Sequence, residues 1–176
     1  MNPVPKSENG PRAGAPAMRL HAGVVVGAAA VALMFQVALP AYLPFADLLD
    51  FPLVVLVYLA LLQKGPLAGM GLGLAIGLAQ DGLTHGPIGV FGIIKSVVGY
   101  ASSSVSSVME VDYGGARSIL TAFFFLIHQV LFWVVKGPLL GSEVVFDVPR
   151  TLILATVHAG LALLLFRSLD PLRRSS

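Results

Sequence analysis

Three ionisable residues lie inside long apolar stretches of this chain: Lys95, His128 and His158. Because a charge is expensive to place in lipid, residues of this kind mark functional sites by default. Two histidines could bind a metal ion, but a metal site needs a third ligand, and other candidates such as His85 are expected nearer the surface. We therefore predict buried structural or proton-sensitive polar contacts without a metal, with Lys95 reaching the membrane surface or meeting Asp81.

A second group of chemically interesting residues lies in the segment 80–92, QDGLTHGPIGVFG. Asp81 and His85 could carry out acid–base chemistry, but a nucleophile or a second acid is missing beside them. Alternatively, Asp81 caps the next element and His85 contacts water. Glycine and proline permit an abrupt reversal of the chain, which must be covered by protein or open to water. We predict a structural corner made by Asp81, Gly82, Gly86, Pro87 and Gly89.

The remaining chemistry is limited by what the chain lacks. It contains no cysteine, which excludes disulfides, thiol catalysis and thiolate metal sites. No arrangement of a nucleophile and a base is recognisable. The formal net charge of +2 is too small to argue for a nucleic-acid partner. We predict that the protein is not an enzyme and has no cofactor.

The elements that position these residues are transmembrane helices. Of the 176 residues, 56% are hydrophobic and only 11% are charged, which is more apolar surface than a soluble domain of this size can bury. Runs such as FPLVVLVYLALL do not alternate between apolar and polar residues, so a β-barrel is excluded. The sequence predicts an all-α, polytopic membrane protein.

We predict about six transmembrane helices, each close to the ~20 residues that a helix needs to cross a bilayer. Residues 1–18 are rich in proline, glycine and polar residues, and we expect a disordered cytoplasmic tail. Residues 19–170 form a single transmembrane domain, and residues 171–176 form a second cytoplasmic tail. The predicted spans are 21–39, 46–63, 65–81, 87–109, 116–140 and 148–168.

The distribution of lysine and arginine predicts the orientation of these spans. With a cytoplasmic N-terminus, eight basic residues face the cytoplasm and two face outward, so both termini are predicted to be cytoplasmic. Asp81 and His85 then lie at the outer surface. The inner basic residues are Lys6, Arg12, Arg19, Lys64, Arg117, Arg167, Arg173 and Arg174; the outer ones are Lys136 and Arg150.

Small residues follow a helical repeat in the third span. A glycine recurs at every fourth position, which gives one winding stripe without side chains. In lipid, small residues let helix backbones approach closely. We favour packing of this stripe within the bundle over a docking groove for a helix of another protein. Its members are Gly65, Gly69, Gly73 and Gly77; Ala28 and Ala32 form a weaker pair in the first span.

Residues 47–100 resemble the central block of the MreD family of rod-shape-determining membrane proteins. The similarity consists of an acid-bearing start to the second span, a YLAL run, a Gly-Pro turn and a glycine-rich span that ends in GLAQDGLTHGPIG. The length, the six spans and the cytoplasmic termini also suit this family. The resemblance further implies a six-helix shape similar to the substrate-binding components of energy-coupling-factor transporters.

The resemblance implies a non-catalytic scaffold of the bacterial elongation (rod) machinery in the cytoplasmic (inner) membrane. Such a protein binds MreC, whose single helix is held in the membrane. Through MreC it acts with MreB filaments and with the glycan polymerase–transpeptidase pair that extends side-wall peptidoglycan and controls cell shape. Self-association stays open. The alternative is a small-molecule (vitamin-type) binding subunit of an energy-coupling-factor transporter, with Ala28 and Ala32 contacting a coupling subunit.

Overall fold

The computed structural model describes residues 22–63, 65–84, 87–109, 114–143 and 145–170. Both predicted tails, as well as Lys64, His85 and Gly86, lie outside these residues. The regular structure of the described residues is entirely helical, as the sequence predicts. The α-helices are α1 (Ala22–Ala38), α2 (Phe51–Leu61), α3 (Pro66–Thr84), α4 (Val90–Val108), α5 (Gly114–Val134) and α6 (Val148–Leu169).

Three of these helices are long and apolar enough to cross a membrane. α1 extends through a 3-10 turn to give 20 residues, Ala22–Ala41. α5 continues through a wider π-helical turn, Val135–Leu139, to give 26 residues, and α6 has 22. Most of their residues face outward from the bundle, as expected of helices whose solvent is lipid. The described part of the chain is therefore all-helical, with three helices compatible with membrane spans.

α2 is much shorter than the predicted span 46–63. It has 11 residues, about 16 Å at ~1.5 Å per residue, whereas the hydrocarbon core is ~30 Å thick. It begins only at Phe51 because Pro44–Leu48 form a separate 3-10 turn. Ten of its residues are buried, with contacts to α1, α3, α4, α5 and α6. A helix that is apolar on all sides thus forms the centre of the fold.

The hairpin of α3 and α4 is the closest helix pair of the fold. A Cβ atom added to Gly73 would collide with the carbonyl oxygen of Lys95, and one added to Gly77 would collide with that of Phe91. Gly69 lies equally close to the backbone of Gly99. From Gly69 to Gly77 the glycine stripe therefore packs against α4 within the bundle, as favoured from the sequence. At Gly65, such a Cβ would meet no atom of the described residues within 4 Å.

Candidate functional site

Asp50 and Lys95 form a buried ion pair near one end of the bundle, which we call the Asp50 end. Asp50 caps α2: its Oδ1 accepts a hydrogen bond of 3.0 Å from the backbone N–H of Leu53. The Nζ of Lys95, from α4, lies 2.7 Å from both carboxylate oxygens. Lys95 is fully buried, and Asp50 is only 8% exposed. Both carboxylate oxygens thus have a charged donor, which offsets part of the cost of burying them.

Two histidines complete this cluster from α5 and α6. The Nε2 of His158 accepts a hydrogen bond of 3.0 Å from the backbone N–H of Asp50. Its Nδ1 lies 2.7 Å from the carbonyl oxygen of Leu154 and must donate, so His158 is the neutral Nδ1–H tautomer. The Nε2 of His128 lies 3.5 Å from Oδ2 of Asp50, beyond ordinary hydrogen-bond distance. Three helices, α4, α5 and α6, thus bring ionisable side chains to Asp50 at the start of α2.

Aromatic rings pack against the charged and histidine side chains of the cluster. The rings of Phe125 and His158 are stacked, with their centroids 3.9 Å apart. Phe91 lies parallel to His128 at a centroid distance of 6.1 Å, and its ring is 5.7 Å from the Nζ of Lys95. An ammonium group over an aromatic face gains electrostatic stabilisation. The cluster contains an acid and a base that compensate each other and two histidines, and its hydrogen bonds tie α4 and α6 to the start of α2.

The three buried ionisable residues predicted from the sequence meet at a residue that the prediction omitted. Asp50 stands before Phe51 and Pro52, an order typical of a helix N-cap followed by an early proline. That pattern could have placed Asp50 at a helix start. Lys95 binds Asp50 and not Asp81, one of the two predicted alternatives, because the carboxylate of Asp81 accepts hydrogen bonds from backbone N–H groups of the corner instead. Within the ranges that the structure describes, no three histidine or acidic side chains are placed to bind a metal ion together.

Asp81 holds the corner between α3 and α4 together. Its carboxylate is 1% exposed and accepts hydrogen bonds of 2.9–3.0 Å from the backbone N–H groups of Gly89, Phe91 and Gly92. The first N–H groups of a helix have no partner in the helix itself. Asp81 therefore caps the start of α4 from the preceding helix, which is a structural role for the acid of the QDGLTHGPIG segment.

The corner begins later than the sequence suggests. Gly82 does not end α3, which runs one further turn to Thr84, where the hydroxyl group donates to the carbonyl oxygen of Gln80. A single glycine lowers helix stability by only about 1 kcal/mol, so a helix tolerates it. Gly89 has a φ of 101°, a conformation that favours glycine, and Pro87 is exposed.

A cavity of about 270 Å³ opens beside the cluster at the Asp50 end. Asp50, His128 and Gln80 line its inner part, and the exposed residues Asp47, Asp147 and Arg150 line its mouth. Its apolar walls come mainly from aromatic residues of α4, α5 and the segment before α6. These include Phe91, Phe125, Phe132, Trp133 and Phe146.

A separate ionic contact lies at the opposite end of the bundle. The guanidinium group of Arg117 in α5 donates to Asp170 after α6, over a distance of 3.1 Å. The hydroxyl group of Tyr58, from α2, donates to the same carboxylate oxygen at 3.1 Å. This contact ties the ends of α2, α5 and α6 together.

Neither the cluster, the corner nor the ionic contact assigns the chain to a family by itself. Compared with protein-family models, with curated proteins and with solved structures, the chain gives no significant match.

Proposed function

We propose that this protein is a non-catalytic scaffold of the bacterial rod machinery that binds MreC in the cytoplasmic membrane. In this proposal six helices form a transmembrane domain with both termini in the cytoplasm. MreC links the scaffold to MreB filaments and to the polymerase–transpeptidase pair of side-wall synthesis. The proposal starts from the resemblance of residues 47–100 to the MreD family.

The contacts that this segment makes within the protein support the scaffold proposal. Residues 47–100 contain α2, α3, the corner and the first half of α4, and they supply Asp50 and Lys95. The glycines pack against a neighbouring backbone, the acid at the corner caps a helix, and the lysine binds a buried carboxylate. Each of these features fixes a helix in place, which is what a rigid platform for another protein requires.

An apolar groove between α1, α2 and α6 is the observation that carries the partner assignment. It encloses about 490 Å³ and is lined by apolar side chains and small residues. On α1 its lining recurs every three or four residues, at positions 24, 27, 28, 31, 32 and 35, which is about three helical turns. Gly27, Ala28 and Ala32 leave room for close backbone approach. The occupant that fits is one transmembrane helix, such as the single span of MreC.

The substitution Gly27→Leu tests this docking. Gly27 is exposed, lines the groove, and a Cβ added there meets no atom of the described chain within 4 Å, so we expect leucine to extend into the groove. Gly71→Leu on the exposed face of α3 is the matched control, since its Cβ also meets no described atom within that distance. We expect both variants to melt like the unmodified protein and only Gly27→Leu to lose co-purification of MreC. Equal co-purification of MreC by both variants would contradict the groove as its site.

Purification in mild detergent followed by mass spectrometry separates the scaffold from the transporter alternative. A stoichiometric protein with a single transmembrane span supports the scaffold. A coupling subunit together with a vitamin, and no such single-span protein, would favour the vitamin-binding subunit instead.

A further inference from the structure

Three buried polar atoms at the Asp50 end have no hydrogen-bond partner among the described residues. They are Oε1 of Gln80 and both ring nitrogens of His128. Each of these two residues is only 3% exposed, and both line the cavity beside Asp50. A buried polar atom left without a partner costs about 1–3 kcal/mol, so such atoms are rare in folded proteins. Their position on one cavity indicates a site for a molecule that forms hydrogen bonds.

The size of the cavity limits the molecule to a small one. Its volume of about 270 Å³ is just below the range of ~300–1,000 Å³ that is usual for ligand pockets. A second cavity of about 280 Å³ shares Gln80, Phe91 and Phe132 with it, which places the two side by side. One or two fused rings match this space better than a lipid or a peptide.

The charges around the cavity favour an uncharged molecule. Asp50 is already neutralised by Lys95, so the interior has no spare charge with which to bind an ion. At the mouth the acids Asp47 and Asp147 are accompanied by Arg150 and by Lys136 of the adjoining cavity, and Asp81 of that cavity already accepts hydrogen bonds from three backbone N–H groups. An ion entering the interior would lose its hydration without gaining an opposite charge.

The orientation of the rings favours a flat molecule. The rings of Phe91 and His128 are parallel to within 2°, and Phe132 is inclined by only 22° to Phe91. Aromatic groups prefer offset-stacked or edge-to-face contacts. Between nearly parallel rings, a flat molecule can make offset-stacked contacts. A planar ring can lie along these faces while its edge reaches Gln80 and His128.

We propose that this cavity binds a neutral, planar heterocycle that carries neighbouring N–H and C=O groups. The heterocycle donates a hydrogen bond from its N–H to Oε1 of Gln80. The neutral imidazole of His128 has one donor and one acceptor, which pair with the C=O and a further N–H or ring nitrogen. This site goes beyond the scaffold function and does not rest on it, because the apolar groove lies between other helices.

The chain carries its own reporter for this binding. Trp133 is the single tryptophan and lines the cavity, so its fluorescence responds to a ring bound there. The experiment titrates the full chain in lipid nanodiscs with lumazine, a neutral two-ring heterocycle with amide-like edges. We expect saturable quenching of Trp133 fluorescence, after correction with empty nanodiscs that contain free tryptophan. Quenching that rises linearly without saturation would show partitioning into lipid only and would overturn the proposal.

Two variants connect the binding to the unpartnered atoms. Gln80→Met removes the acceptor at similar size, and we expect lumazine to bind roughly tenfold more weakly, as the loss of about 1.4 kcal/mol implies. His128→Phe keeps the ring but removes both nitrogens and should weaken binding at least as much. Gln63→Met, at the far end of α2, is the matched control and should bind lumazine like the unmodified chain. Unchanged affinity in both cavity variants would overturn the site.

The same preparations separate this proposal from the scaffold function. Gln80→Met and His128→Phe should co-purify MreC normally, whereas Gly27→Leu should still bind lumazine. Loss of lumazine binding in Gly27→Leu, with its melting unchanged, would contradict the separation of the cavity from the groove.

Discussion

The Nζ atom of Lys95 lies 2.7 Å from both carboxylate oxygens of Asp50, which is 45 residues earlier in the chain. This pair joins α4 to the first turn of the central helix α2. Because the two side chains are buried, neither charge can be hydrated if its partner is removed. The stability of the Asp50 end therefore depends on both residues together.

Removal of either partner should destabilise the protein more than removal of both. We expect Asp50→Asn and Lys95→Met each to lower the free energy of unfolding by about 3–5 kcal/mol, because each leaves one buried charge unpaired. The double variant should lose much less than the sum. Reversible unfolding of the four proteins in mixed detergent micelles measures this coupling. Asp47→Asn, on the exposed side of the same segment, is the control and should change little. Additive losses would show that the pair is not coupled.

The glycine stripe predicts different effects at two glycines of the same helix. Gly73→Ala places a methyl group against the carbonyl oxygen of Lys95, so we expect a loss of about 1–3 kcal/mol, as overpacking usually causes. Gly71→Ala faces outward and should be neutral or stabilising by up to about 1 kcal/mol, because alanine favours a helix more than glycine does. Thermal melting of the two purified variants measures the difference. Equal melting temperatures would mean that α3 and α4 are not as close as described.

The corner should depend on the carboxylate of Asp81. Asp81→Ala leaves three backbone N–H groups at the start of α4 without their acceptor, and loss of a helix cap costs about 0.5–2 kcal/mol. We expect a loss at the upper end of that range and a smaller one for Asp81→Asn, which keeps one acceptor oxygen. Asp147→Ala removes a single cap bond at the exposed start of α6 and serves as the comparison. Hydrogen exchange at Phe91 and Gly92 measures the local effect. Unchanged protection there in Asp81→Ala would contradict the capping role.

The predicted orientation can be tested directly because the chain has no cysteine. A cysteine in place of Thr84, at the end of α3, should react with a membrane-impermeant maleimide on intact cells. A cysteine in place of Ser175 should react only after lysis. The reversed labelling pattern would overturn the prediction that Asp81 lies at the outer surface and that the C-terminus is cytoplasmic.

Parts of this arrangement follow from the sequence because they depend on local patterns. The fourfold glycine repeat predicts a close helix contact, and apolar length predicts the helices that contain His128 and His158. The partner of Lys95 cannot be predicted in this way, because Asp50 and Asp81 are both acids near the same end. The rotation of α4 about its axis decides between them. The glycine contacts with α3 fix that rotation, and they turn Lys95 towards α2.

The length of α2 was predicted wrongly for a related reason. Apolar residues dominate the stretch from residue 46 to residue 63, but Asp47 and Asp50 interrupt its start, and Pro44–Leu48 form a 3-10 turn separate from the short helix. A hydropathy window averages over such a break. The burial of α2 on all sides depends on five neighbouring helices and is not visible in its own sequence.

The central position of α2 has a consequence for biogenesis. With 11 apolar residues it is too short to be inserted as an independent span, and its capping acid is one of the most unfavourable residues for lipid. The groups that bind Asp50 belong to α4 and α6, both of which leave the ribosome after it. The core around α2 is therefore completed only when α6 has been synthesised. A chain that stops before α6 leaves its most apolar helix without a finished binding site, and membrane quality-control proteases can act on it.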